Sequence, residues 1–109
     1  MIFIVTKNRV RRKFADDWPS IVHDFTTATR AEPGNIFFDW YRSVEEPTVY
    51  VLVEAFTDRA AGEAHVNSEH FRAGSIVMAE ALAAVPEIIN VEVPGDGWSE
   101  VSERPPDAT

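Results

Sequence analysis

The chain contains no cysteine, which removes disulfides, thiolate nucleophiles and cysteine-based zinc or iron–sulfur sites together. Basic residues are scarce: ten Lys and Arg stand against eighteen Asp and Glu, a formal net charge of −8. Such a field repels phosphate backbones and anionic headgroups, so neither nucleic acid nor membrane is expected as a partner. Long apolar runs are also missing. The opening MIFIVTKNRV turns polar after Val5, too soon for a signal-peptide core or a membrane span, and a cytoplasmic location is expected. No HExxH, GxGxxG, Walker A or GxSxG pattern occurs. Metal-dependent proteolysis, Rossmann-type dinucleotide binding, phosphate cradling and triad hydrolysis therefore lack their usual parts.

What remains is a chain of 109 residues, 45% hydrophobic and 11% aromatic, enough for one packed core and too short for two. Ile2 to Val10 starts with β-branched and aromatic residues and then alternates, as a strand does. Phe14, Trp18, Ile21, Val22, Phe25 and Thr29 follow at steps of three and four, the spacing of one helical face. Asp16 or Asp17 can cap that helix and Pro33-Gly34 stops it. Asn35–Ser43 and Thr48–Phe56 are rich in β-formers and flank a short turn, Val44 to Pro47, which predicts a hairpin.

Thr57-Asp58 and then Asn67-Ser68 offer caps for a short Ala-rich helix and a longer one carrying Phe71, Ser75, Met78, Leu82 and Val85, with Pro86 as its end. Glu87 to Val93 reads as a final strand with Ile89, Val91 and Val93 on one face. The order βαββαβ predicts an α+β, ferredoxin-like antiparallel sheet with both helices on one face. Helices covering Tyr50, Leu52, Glu54 and Phe56 leave Val49, Val51, Val53 and Ala55 uncovered, which favours a homodimer. Residues 1–94 are expected to form the domain, and 95–109 a tail that is loose or held by Trp98.

The densest set of reactive side chains is Glu54, His65, Asn67, Ser68 and His70. Glu54 lies among apolar neighbours on a strand, so it either has a buried partner, Arg42 or a histidine, or lines a cavity. His65 and His70 either fix a helix junction through hydrogen bonds or serve as proton acceptors. Ser68 reads as an N-cap, and Trp18, Phe25, Phe71 and Met78 read as core with pocket lining as a second role. His23 has no spacing to the other histidines that suggests a three-ligand metal site, and no metal is expected.

The run TRAEPGNIFFDWYRS, followed by PTVYVLVEAFTDRAAGEAHVNSEHF, resembles the central block of antibiotic biosynthesis monooxygenase domains. The likeness spans Thr29 to Phe71, and the flanking strands fit the same fold. It implies a dimeric α+β barrel with a pocket between sheet and helices, which oxygenates quinol- or anthrone-like aromatics with O2 and no cofactor. Glu54, His65, Ser68, His70 and Phe71 match recurrent positions, and Asn8 matches a polar pocket position. On that basis His65 or His70 is the expected base, Glu54 orients it, Asn8 binds a substrate oxygen, and Trp40, Ser68 and Phe71 complete the site. Haem-degrading relatives use a Trp and a downstream axial histidine on the segment matching His65 through Ser75, and this sequence has His65 and Ser75 there, which speaks against haem. Two further readings use the same pocket: a non-catalytic small-molecule-binding or stress-response module, and an isomerase of a small metabolite, for which Arg72 is the nearest phosphate-binding candidate.

Overall fold

The computed structural model describes residues 1–101; residues 102–109, the end of the expected tail, lie outside the described residues. Four strands form one antiparallel sheet: β1 (Ile2–Arg9), β2 (Asn35–Arg42), β3 (Val49–Phe56) and β4 (Glu87–Glu92), in the order β2-β3-β1-β4. That order, with helical segments between β1 and β2 and between β3 and β4, is the ferredoxin-like arrangement. The helices are α1 (Trp18–Ile21), α2 (His23–Arg30), α3 (Arg59–Val66) and α4 (Glu69–Ala81). Among the described residues no helix is long and apolar enough to cross a membrane.

The register fixes what each face carries. Glu54 on β3 is opposite Phe38 on β2 and Ile4 on β1, and Ile4 is opposite Asn90 on β4. Because side chains alternate, this row shares its face with the next one, Trp40, Leu52, Thr6 and Ile88. Phe25 of α2 packs on Phe38 and Leu52, while Trp18 and Val22 pack with Val10, Tyr50 and Ala81. The helices thus cover the Tyr50, Leu52, Glu54 and Phe56 side, as the strand alternation predicts.

The opposite face carries Phe37, Asp39 and Tyr41, then Ala55, Val53 and Val51, then Phe3, Val5 and Lys7, then Val91, Ile89 and Glu87. Of the four β3 residues expected to lie open there, Val49 and Ala55 are buried within the protomer and Val51 and Val53 are half-buried. Ile89, Val91 and Tyr41 are well exposed. Trp98, beyond the last strand, lies against Phe37 with ring centroids 5.4 Å apart, so the near part of the tail is anchored by that ring.

Three local expectations are corrected. The first helix is two, divided at Val22, and Phe14 belongs to a 3₁₀ turn over Arg12–Phe14. Neither aspartate caps it: Asp17 holds the N-cap position without a side-chain hydrogen bond, and the Asp16 carboxylate is taken by Arg42 at 2.8 Å. The last helix ends at Ala81, before Pro86. There the chain turns extended and pairs with the end of β1, through Arg11 N–H to Ala81 O (2.9 Å) and Ala83 N–H to Arg9 O (2.7 Å). Those bonds satisfy backbone groups that a longer helix would have used internally, and Val85 is left exposed.

Candidate functional site

His65 is the centre of the site, and both helix starts on either side of it are capped as their sequences predict. Asp58 accepts from Ala61 N–H (2.8 Å) at the start of α3, and Ser68 accepts from Phe71 N–H (3.1 Å) at the start of α4. The Ser68 hydroxyl also donates to His65 O (2.6 Å), which ties the two helices at their junction. Ser68 is therefore occupied by backbone groups and does not reach the pocket described below.

The junction turns His65 inward, where it is 4% exposed. Its ring lies among Phe56 (centroids 4.8 Å apart), Phe71 (5.1 Å) and Phe25 (5.8 Å). Such a wall excludes water from the imidazole faces and leaves its two nitrogens to define its chemistry. Nδ1 lies 2.8 Å from Glu32 Oε2, and Nε2 lies 3.8 Å from Glu54 Oε1. His70 Nε2 reaches the same Glu32 oxygen from the first turn of α4. A carboxylate can only accept, so the Nδ1–H of His65 and the Nε2–H of His70 both point at Glu32. In the neutral imidazole this tautomer leaves the His65 Nε2 lone pair facing Glu54.

Glu54 is buried, 5% exposed, in the middle of the sheet. Burial, reinforced by the negative charge of Glu32, pushes its carboxyl from 4.5 up to about 8. Near neutral pH it is mostly the neutral acid, able to donate a hydrogen bond. Arg42, the alternative partner, lies two rows away at Tyr50 and binds Asp16 and the Pro47 carbonyl instead.

A pocket of about 270 Å³ opens beside these groups, between the sheet and α4. Glu54, His65, Asn8, Trp40 and Phe71 all line it, so five of the seven expected site residues converge on one cavity. Ser68 and His70 do not line it; His70 touches the cluster only through Glu32. Asn8 is fixed by its amide, which donates to Thr6 Oγ1 (2.9 Å) and Tyr50 O (3.3 Å). Trp40 is held by Nε1–H to Thr26 Oγ1 (2.9 Å). Among the described residues the lining contains no lysine or arginine. A second, more open cleft of about 430 Å³ meets the first along Ile4, His65, Val66 and Asn90.

The residue that sequence reasoning missed is Glu32. It follows α2 just before Pro33-Gly34, and its signal was the Arg-x-Glu-Pro-Gly run itself. No spacing rule links it to His65, 33 residues later. Asn90 and Thr6, which add polar atoms to the pocket, were also missed.

The family model for antibiotic biosynthesis monooxygenase matches residues 1–75. The chain belongs to the antibiotic biosynthesis monooxygenase family. The match takes in Glu32, Glu54, His65 and His70 and every expected site residue of this family member. It is 29% identical over 91 residues to the Bacillus subtilis (strain 168) protein named "Putative monooxygenase YcnE", covering 84% of this chain and 92% of that one. Its fold is similar to that of a Caulobacter crescentus CB15 protein named as a putative antibiotic biosynthesis monooxygenase. The TM-score is 0.81 at 23% identity, over 86% of this chain and 90% of that one. Rv0793 from Mycobacterium tuberculosis is similar at a TM-score of 0.77 and 23% identity, over 90% and 98%.

Proposed function

We propose that the chain is a cofactor-independent monooxygenase that oxidises a small quinol- or anthrone-like aromatic, with His65 as the base. The observation that carries this reading is the line from the Glu32 carboxylate through His65 Nδ1 to Nε2 at the wall of an apolar pocket. Glu32 holds the imidazole in one tautomer and stabilises the imidazolium, the orienting role first expected of Glu54. Glu54, as a neutral acid, donates instead to the substrate oxygen or to oxygen bound for departure as water.

The chemistry closes without an added reductant. Nε2 takes a phenolic or activated C–H proton, and the resulting anion passes one electron to O2. The radical pair joins through a new C–O bond. The peroxide formed then loses water, so one oxygen atom stays in the product and the other leaves with two hydrogens that began on the substrate. A quinol thereby becomes a hydroxyquinone, and an anthrone CH2 becomes a carbonyl.

Among the described residues the lining has no lysine or arginine, which favours a neutral ligand over the phosphorylated one that the isomerase reading needs. At about 270 Å³ the cavity is just below the usual range of roughly 300–1,000 Å³ for ligand pockets, which favours one or two fused rings. Asn8 and Trp40 are the groups proposed to orient that ring. We also propose that the protein works as a homodimer formed through the open sheet face, where Ile89, Val91 and Tyr41 are exposed beside half-buried Val5, Val51 and Val53.

Oxygen uptake with a dihydroxynaphthalene, and mass analysis after reaction under labelled O2, test the reading. Turnover should place one labelled atom in the product, and His65→Ala should lose on the order of 10²–10⁴-fold in rate. Unchanged uptake in the His65 variant would remove the base. Tight binding of the quinol with no uptake in the wild-type protein would leave the binding-module reading in its place.

A further inference from the structure

Glu32, His65 and His70 are grouped more tightly than one base and one orienting carboxylate require. Glu32 Oε2, His65 Nδ1 and His70 Nε2 all lie within 4.8 Å of one another. His70 plays no part in the proposed oxygenation, since it does not reach the pocket. Its side chain is 26% exposed and that of Glu32 15%, and neither lines the pocket, so solvent reaches the cluster.

Two imidazoles and one carboxylate converging on a single point are the donor set of a borderline divalent metal ion. Imidazole disfavours magnesium and calcium, which take oxygen. We infer that Glu32, His65 and His70 form a binding site for a divalent transition-metal ion of the zinc class, whose occupation blocks the base. The ion takes the Nδ1 lone pair of His65 and the Nε2 lone pair of His70. Each imidazole keeps its one proton and moves it to its other nitrogen. For His65 that nitrogen is Nε2, which then carries a hydrogen toward Glu54 Oε1, 3.8 Å away. A neutral Glu54 can accept that hydrogen through its carbonyl oxygen, and a ligating histidine hydrogen-bonded at its far nitrogen is the arrangement that orients metal-bound imidazoles. The remaining coordination position falls to water on the exposed His70 side.

The consequence for chemistry is direct. The lone pair that would accept a substrate proton is replaced by an N–H, so the ion is an inhibitor rather than a cofactor. Sequence spacing among the three histidines gave no metal site because His23 is not part of it: His23 is exposed and near only Asp24 in the described contacts. The third ligand is a glutamate from the other half of the chain.

Binding is read without reference to turnover, so its failure is separable from failure of the oxygenase reading. Zn2+ titrated calorimetrically into metal-free, full-length protein should bind one ion per chain. Co2+ in its place should give the visible absorption of a low-coordinate site. Glu32→Gln and His70→Ala should each weaken binding by roughly 100-fold, whereas His23→Ala should leave it unchanged. Nitrogen NMR of the wild-type protein should show the His65 proton on Nδ1 before Zn2+ and on Nε2 after it. No stoichiometric binding to the folded wild-type protein would overturn the proposal and leave a hydrogen-bonded cluster only. Binding that survives both Glu32→Gln and His70→Ala, or that leaves the His65 tautomer unmoved, would overturn it equally.

Discussion

Glu32 Oε2 accepts a hydrogen bond from His65 Nδ1 at 2.8 Å, joining the turn after α2 to the last turn of α3 across 33 residues of sequence. The same carboxylate is close enough to Glu54 to raise its pKa, so one negative charge sets both the tautomer of the histidine and the protonation of the second acid.

Glu32→Gln should therefore lower the Glu54 pKa. Loss of the charge removes the Coulombic part of the shift and leaves burial, so Glu54 should titrate below about 8 and still above the ordinary 4.5. Carbon NMR of the Glu54 carboxyl against pH measures this. A Glu54 that titrates at the same pH in both proteins would disconnect the two carboxyls.

Stability should fall as pH rises through the Glu54 transition. In the folded state the acid holds its proton up to about 8, and in the unfolded chain only to 4.5. The folded form thus binds more protons between those values, and ∂ΔG/∂pH is negative across that window. The contribution is fully present below 4.5 and lost as pH passes about 8. Glu54→Gln, neutral throughout, should gain on the wild type by a few kcal/mol, at about 1.4 kcal/mol per pH unit, from acid to mildly alkaline conditions. Urea melts of both proteins at several pH values give the difference, and two parallel curves would contradict it.

Gly74 is where α4 crosses α2. A Cβ built there meets the Phe25 ring at 2.7 Å, and Phe25 is held between Phe38 and the site histidines. Gly74→Ala should cost about 1–3 kcal/mol in a denaturant melt, despite the better helix propensity of alanine. The displaced ring also lines the pocket, so quinol affinity should fall with stability.

If the open sheet face joins two copies, Val53→Lys should break the association, because it sets a charge among Val5, Ile89 and Asp39 in the same row. Sedimentation velocity should then give the 12.2 kDa protomer for the variant and twice that mass for the wild type. A wild-type protein that sediments as the protomer would refute the dimer.

The sequence carried the sheet and its faces to within a residue or two, because a period of two in Val49–Phe56 and the caps at Asp58 and Ser68 are local signals. It misplaced the end of α4 because the competing partner of Ala81 O, the Arg11 amide, is 70 residues away in the chain. It found Glu54 by its apolar neighbours on a strand, and His65 by its place in a dense run of polar side chains at a helix junction. Local pattern could go no further toward the site.

Composition and periodicity by themselves determined the element order, the face that the helices cover and, Glu32 apart, the small set of residues able to move a proton. Which of them meet was decided by the tertiary structure alone. The antiparallel register places Glu54 in one row with Phe38, Ile4 and Asn90, and the crossing of α2 over the sheet brings Glu32 under His65. Hydrogen bonds between side chains depend on positions in space to a fraction of an ångström, and no spacing along the chain encodes a contact made between its two halves.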